Sequence, residues 1–296
     1  MDRRDFIKTV AVGAATALGT ASANAASTAE ASSVLPRPGT VTAAIPQHPD
    51  MKYRALGRSG EAVSLVGIGG YHLAKSGKMT SDEAVRMVHA GIEAGINFCD
   101  NCWDYNGGES EARLGRALSQ QGYRKRVLLM TKIDGRTAKA AMGQIETSLA
   151  RLQTDHLDLL QFHEIIRPDD PARVFAQGGA LEAVLKAREQ GKLRYIGFTG
   201  HKSPAIHASM FETADRHGFH FDTVQMPLNI MDAHYDSFEK TVVPMAVARG
   251  TGVIGMKAFG DSFILQSGLM PPIQMLQYPM SPVSYTHLTL PTTPYV

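Results

Sequence analysis

The sequence predicts an α/β fold assembled from parallel strand–helix units. Two observations carry that expectation. Short apolar runs with strand character alternate with amphipathic stretches of helical length along most of the chain. Three residues that can carry chemistry, Asp100, Lys132 and His163, each close one of the strand-like runs, the position from which parallel α/β folds present their sites. A third feature narrows the class: no Gly-x-Gly-x-x-Gly opens a helix after a strand, which argues against a doubly wound dinucleotide-binding sheet.

Taken in order, Met51 to Val63, with Gly57-Arg58-Ser59-Gly60 as its turn, reads as a hairpin. Strands are expected near Ser64–Gly67, Asn97–Asp100, Val127–Lys132, Leu157–His163, Tyr195–Thr199, Thr223–Met226 and Val253–Met256. Between them lie helical stretches: Ser81–Ala94 with Thr80 or Ser81 as N-cap, Glu109–Ser119, Ala138–Arg151, Gly179–Gln190 stopped by Gly191, Pro204–His217 behind Ser203, and Ser237–Arg249 stopped by Gly250.

The chemistry concentrates around Asp100 and Tyr105. A phenol with its ordinary pKa of about 10 is a poor acid at neutral pH. A nearby lysine cation is expected to bring it down, and a carboxylate to keep that lysine charged in a cleft. Lys132 and Asp100 suit these roles. His163 can orient or donate to a carbonyl oxygen, which completes an arrangement for protonating an oxyanion as hydride arrives at carbon.

The wording around these residues resembles the aldo-keto reductase family. It does so in Gly95-Ile96-Asn97-Phe98-Cys99-Asp100, in Tyr105 followed by Gly108-Glu109-Ser110-Glu111 and Leu114-Gly115, in Met130-Thr131-Lys132, in Gln161-Phe162-His163, in Gly197-Phe198-Thr199 and in Val224-Gln225-Met226-Pro227-Leu228-Asn229, in the family's order. The resemblance implies a TIM-type (β/α)8 barrel, with the hairpin as its bottom plug. It also implies transfer of hydride between a nicotinamide cofactor, NADP(H) or NAD(H) and usually the former, and an aldehyde, ketone or alcohol. Asp100, Tyr105, Lys132 and His163 carry over as the catalytic four, with Tyr105 the general acid. A competing implication is a nicotinamide-binding sensor or partner subunit with little turnover, as in channel-associated members.

Cofactor contacts follow the family less closely. Thr199 is followed by Gly200 and His201 where a Ser-Asn pair is usual, so Thr199 keeps a hydrogen-bonding group and Gly200 supplies none. Gln225 matches the family's glutamine contact, or is a polar residue of the barrel interior. Met256-Lys257-Ala258-Phe259 replaces the usual stacking tyrosine, leaving Lys257 as a phosphate or ribose contact or a solvated side chain. Gly69 and Gly70 allow close approach of a cofactor or simply make a turn. Asp100 is counted with the cofactor contacts as well as the catalytic four. For substrate, Glu164 and Arg167 lie just past His163, and Tyr71 and Trp103 either wall the pocket or pack at its rim. Cys99 and Cys102 form a Cys-x-x-Cys that in an exported protein could be oxidised to each other, but alternation turns Cys99 toward the helices, which favours a small buried hydrophobe, and two cysteines are too few for a four-ligand cluster or zinc site. His201, His207, His217 and His220 lack helical zinc spacing and read as loop and surface histidines. No metal is expected.

The 30 basic and 28 acidic side chains in 296 residues nearly balance, giving no reason to expect a nucleic-acid partner, and the body of the chain has no apolar stretch long enough to span a bilayer. Residues 1–25 read as an export signal: Arg3-Arg4-Asp5-Phe6-Ile7-Lys8, an apolar run of small residues, then Ala23-Asn24-Ala25 as cleavage site. The expected partner is the twin-arginine machinery, which carries folded proteins, and the expected location is periplasmic or exported. Residues 26–50, rich in Ala, Ser, Thr and Pro, read as a tether. The barrel is assigned to 51–282. Val283 to Thr292 matches a translated sequencing adapter, so 283–296 is read as foreign and the barrel as truncated near Pro282, seven strands long with the eighth missing.

Overall fold

The computed structural model describes residues 47–75, 79–281 and, for their backbone alone, 286–291. The proposed export signal and most of the proposed tether fall outside these residues.

Two short strands, β1 (Tyr53–Ala55) and β2 (Ala62–Ser64), form an antiparallel hairpin, with Tyr53 opposite Ser64 and Ala55 opposite Ala62. Its apolar tips Leu56 and Val63 are buried among Phe98, Leu128, Met130, Leu159, Tyr195 and Ile254, so the hairpin plugs the barrel. Gly57 is required at the contact. It sits at φ 54°, and a Cβ there would lie 2.4 Å from the backbone nitrogen of Gly252, a clash no side chain could relieve.

The barrel follows as parallel strands β3 (Val66–Gly69), β4 (Phe98–Asp100), β5 (Leu128–Ile133), β6 (Leu157–Phe162), β7 (Leu193–Thr199), β8 (Thr223–Pro227) and β9 (Gly252–Met256). All seven expected strands are present, with the first shifted two residues forward. The outer layer contains α1 (Ser81–Glu93), α2 (Glu109–Leu118), α3 (Ala138–Arg151), α4 (Asp170–Phe175), α5 (Ala180–Glu189), α6 (Pro204–Arg216) and α7 (Phe238–Ala248), followed by α8 (Phe263–Gln266) and α9 (Pro272–Met280). α4, α8 and α9 were not expected from the sequence; they are short or carry proline, so helical periodicity has little length in which to appear. The N-cap of α1 is Thr80, whose Oγ1 accepts from the Glu83 amide while the Glu83 carboxylate accepts from the Thr80 amide at 2.7 Å.

The expectation of a missing eighth strand needs correction. Thr286–Pro291, inside the segment set aside as foreign, forms β10 and pairs in parallel with both β9 and β3, with Leu288 opposite Val66 and Gly255. The physical reason is that β3 and β9 otherwise present unpaired edges, which template any tethered extended segment. The barrel remains an incomplete (β/α)8 unit in one respect, since no helix follows β10 among the described residues.

Alternation along the strands sorts the side chains. Outward residues such as Cys99, Leu129, Leu160, Phe198 and Val224 pack with Val88, Ile92, Leu114 and Phe211 of the helices. Inward residues are apolar low in the barrel and polar at the strand C-termini: Phe98 gives way to Asp100, Met130 to Lys132, Leu159 to Gln161, Tyr195 to Thr199. The site is therefore the polar end of an otherwise apolar interior. No helix among the described residues is long and apolar enough to cross a membrane.

Candidate active site

Lys132 sits at the centre. Its ammonium ion-pairs with the Asp100 carboxylate, donates to the Asn101 carbonyl at 2.8 Å and to the Tyr105 hydroxyl at 3.4 Å, and lies 4.9 Å from the Tyr105 ring centroid. The other Asp100 oxygen accepts from the Gln225 amide at 2.7 Å. The Tyr105 ring meets His163 edge-on at 5.8 Å and Tyr71 edge-on at 5.3 Å. Thus β4, β5, β6 and β8 each deliver one group or its immediate successor to one place.

The loop between β4 and α2 is shaped for this. Asn101 donates from its amide to the Ser110 carbonyl at 3.0 Å and accepts from the Cys102 N–H at 2.9 Å, fixing the chain just before Tyr105. Asn106 and Gly107 follow in left-handed conformation, the tight turn that lets Tyr105 face back over the barrel. Gly70 matters to the same loop, because a Cβ there would meet the Asn101 side chain at 2.6 Å.

Electrostatics correct one expectation. Burial pushes the Tyr105 phenol well above its ordinary value, and the Lys132 cation only partly offsets this. Lys132 itself is pulled down by burial, but the Asp100 carboxylate with Tyr105 and Cys102 more than reverses that, so the ammonium stays charged. Burial, aided by Lys132, His201 and Arg136, holds the His163 imidazole well below its ordinary value, so it is neutral at neutral pH. The site therefore presents a neutral phenol, a neutral imidazole and a charged ammonium.

The sequence profile of the aldo/keto reductase family matches residues 65–275. The chain belongs to that family. It is 34% identical over 170 residues to a 6-dehydroglucose reductase of Novosphingobium aromaticivorans, covering 53% of this chain and 54% of that protein. It is 35% identical over 159 residues to L-galactose dehydrogenase of Arabidopsis thaliana, covering 51% and 49%. The chain thus spans about half the length of these relatives. The fold is that of an aldo-keto reductase from Bacillus halodurans solved in its holo form, with a TM-score of 0.66, 23% identity, and coverage of 81% of this chain and 85% of that one.

Members of this family bind nicotinamide cofactors, and the residues present fit the carboxamide end of one. Gln161 Oε1 and Gln225 Oε1 are buried acceptors without a partner among the described residues, and Thr199 is buried at the end of β7. Carboxamide N–H donors would satisfy such acceptors. Gln225 has a second role unforeseen in the sequence, holding Asp100. Lys257, at φ 57° just past β9, pairs with Asp261 at 2.8 Å, so a phosphate contact there competes with an existing ion pair.

The substrate candidates divide. Tyr71, 45% exposed, stands against Tyr105 and walls the pocket. Trp103 turns away: its indole donates to Asp134 at 3.0 Å, and it lines a shallow groove with Thr137, Lys139 and Thr147. Glu164 and Arg167 line a charged cleft of about 380 Å³ with Asp134, Arg136 and Arg173, a lining that includes none of Asp100, Tyr105, Lys132 and His163.

Arg136 was missed by sequence reasoning. Its guanidinium donates to Asp170 at 3.0 Å, to the Asp134 carbonyl at 2.9 Å, and to the carbonyls of His163 and Glu164 at 2.7 and 3.0 Å. It clamps the loop carrying His163 and holds Glu164 at a left-handed φ of 51°. Its position four residues past Lys132, in the loop after β5, was the available signal. Asn101 and Asp104 were missed as well, although both lie between Asp100 and Tyr105. The histidines expected in loops and at the surface include one exception, since His207 is fully buried behind Gln225.

Proposed function

We propose that this protein interconverts carbonyl compounds and alcohols with a nicotinamide cofactor, with Tyr105 exchanging the proton. The observation that supports it best is the convergence of Asp100, Lys132, Tyr105 and His163 at the polar mouth of the barrel. When bound, the nicotinamide supplies or receives the hydride at its C4.

The chain's own residues account for the rest. In reduction, the Tyr105 hydroxyl donates its proton to the carbonyl oxygen as negative charge develops there, and Lys132 stabilises the phenolate left behind. Asp100 and the Asn101 carbonyl keep Lys132 in place and charged. His163, neutral, offers one ring nitrogen to position the same oxygen. In alcohol oxidation the phenolate takes the proton back.

The two relatives are named for monosaccharide substrates, which supports a sugar carbonyl or hydroxyl as the substrate class. NADPH over NADH is the family expectation. Assaying Tyr105→Phe and the parent on monosaccharides and simple aldehydes with either cofactor tests the reading. Turnover should fall by about 10² or more with cofactor affinity little changed; equal turnover would remove Tyr105 from the mechanism. Tight cofactor binding with no turnover on any compound would favour a sensor.

We also infer export by the twin-arginine route, supported by Arg3-Arg4-Asp5-Phe6-Ile7-Lys8 ahead of an apolar run of small residues. Replacing both arginines by lysine should leave the protein in the cytoplasmic fraction of a bacterial host; unchanged export would refute the assignment.

A further inference from the structure

Cys102, Asp104 and His163 place a thiol sulfur, a carboxylate oxygen and an imidazole nitrogen within 4.8 Å of one another. The Cys-x-x-Cys of the sequence does not form a pair in space: both cysteines are buried and free, Cys99 packs outward against the helices, and Cys102 lies against His163. Its sulfur lies 3.1 Å from His163 Nδ1, and an Asp104 oxygen lies 3.9 Å from the same nitrogen.

Those separations can be compared with what a cation would need. Zinc with Zn–S of about 2.3 Å and Zn–N or Zn–O of about 2.0–2.2 Å in tetrahedral geometry sets ligand atoms roughly 3.4–3.6 Å apart. The sulfur–nitrogen pair must open by about 0.5 Å and the nitrogen–oxygen pair close by a similar amount. Rotation of an exposed carboxylate suffices for the second.

The donors are held in place independently of any ion. The Cys102 N–H donates to Asn101 Oδ1, the His163 N–H to the Ile133 carbonyl at 2.7 Å, and the His163 carbonyl accepts from Arg136. Thiolate and carboxylate together cancel a dication, which matters beside the Lys132 ammonium. The Asp104 side chain is 42% exposed against 12% for His163, so an ion can enter from the Asp104 side.

We propose that Cys102, Asp104 and His163 form a three-ligand site for a thiophilic divalent cation such as Zn2+, and that its occupation inhibits the enzyme by engaging His163 beside Tyr105. Binding does not depend on the reductase reading; inhibition does.

Co2+ is the probe, because a thiolate ligand gives it a sulfur-to-metal charge-transfer absorption that nitrogen and oxygen ligands do not. Titrating the full chain with Co2+ should produce that band, and Zn2+ should displace it. The band should vanish in Cys102→Ser and persist in Cys99→Ala. Asp104→Asn, a change at an exposed side chain that leaves the fold undisturbed, should weaken Co2+ binding by at least the roughly 10-fold typical of losing even an outer partner. No band in the parent, or a band that survives Cys102→Ser, would overturn the site. For inhibition, each protein's turnover with Zn2+ is divided by its own turnover without it. The ratio should be well below one for the parent and near one for Cys102→Ser. Equal ratios beside a normal Co2+ titration would overturn the inhibition and keep the site, whereas absent turnover throughout would indict the reductase reading alone.

Discussion

At the N-terminal end of the barrel, Asp158 accepts from Arg124 at 2.9 Å, from Arg194 at 3.1 Å and from the Leu129 N–H at 2.9 Å, while Arg194 continues to Glu61 of the hairpin and Glu61 accepts from Tyr195 at 2.8 Å. At the C-terminal end, Lys132 is shared by Asp100, Asn101 and Tyr105, and Asp100 is braced by Gln225. The lower network joins two arginines to two carboxylates, and each carboxylate has several donors. It fastens plug to barrel. The upper network has one cation and one carboxylate, and two glutamine acceptors nearby have no partner among the described residues. Unfilled buried acceptors cost stability, and they persist where a ligand completes them. The difference is the one expected between a structural charge cluster and one that receives a ligand.

The largest effect that sharpens this contrast is expected at Lys132. Its side chain is 2% exposed and that of Asp100 7%, so Lys132→Met strands a buried carboxylate. Stability should fall by about 3–5 kcal/mol and turnover by about 10² or more. Adding Asp100→Asn removes the stranded charge and keeps an acceptor for Gln225. The double variant should regain much of the melting temperature and none of the activity. A double variant as unstable as the single would show that uncompensated charge is not the cause.

A smaller, pH-dependent effect concerns His207. Its ring packs between Phe198 and Phe238 and bonds to the Gln225 carbonyl, directly behind the upper network. Burial holds its pKa down to about 4. An unfolded histidine takes up its proton near 6.5, so between about 6.5 and 4 the unfolded state holds more protons and stability rises with pH. The contribution is complete above the unfolded value and is lost as pH falls toward the folded one. Denaturant midpoints measured across that range should show the slope, and His207→Asn should reduce it whatever its effect on the absolute midpoint, with buried His163, also held below its ordinary value, supplying part of what remains. An unaltered slope would assign the acid sensitivity elsewhere.

The smallest effect belongs to the lower network. In Arg194→Met, Asp158 keeps Arg124 and the Leu129 N–H, and Glu61, about a quarter exposed, is hydrated. The loss should stay near or below about 1 kcal/mol, with kcat unchanged. A fall in kcat comparable to that of Lys132→Met would erase the distinction between the two ends.

The sequence by itself determined the alternation of strands and helices, the bottom hairpin, and the placing of Asp100, Lys132 and His163 at strand C-termini, because inward and outward periodicity and cap chemistry are local. Thr80 with Glu83 is an instance: two residues three apart suffice to start α1. Only the tertiary structure decided what these groups do to one another. That Tyr105 is raised rather than lowered depends on how much protein surrounds the phenol, which no spacing encodes. That Gln225 serves Asp100 depends on strands 125 residues apart meeting across the barrel mouth. Arg136 binds three carbonyls, those of Asp134, His163 and Glu164, and backbone acceptors leave no mark on residue type. Closure by Thr286–Pro291 was invisible for the same reason, since a short extended segment gains its partners only from the edges β3 and β9 offer it. Local pattern sets which atoms reach the mouth of the barrel; burial and long-range contact set their charge, their partners and their use.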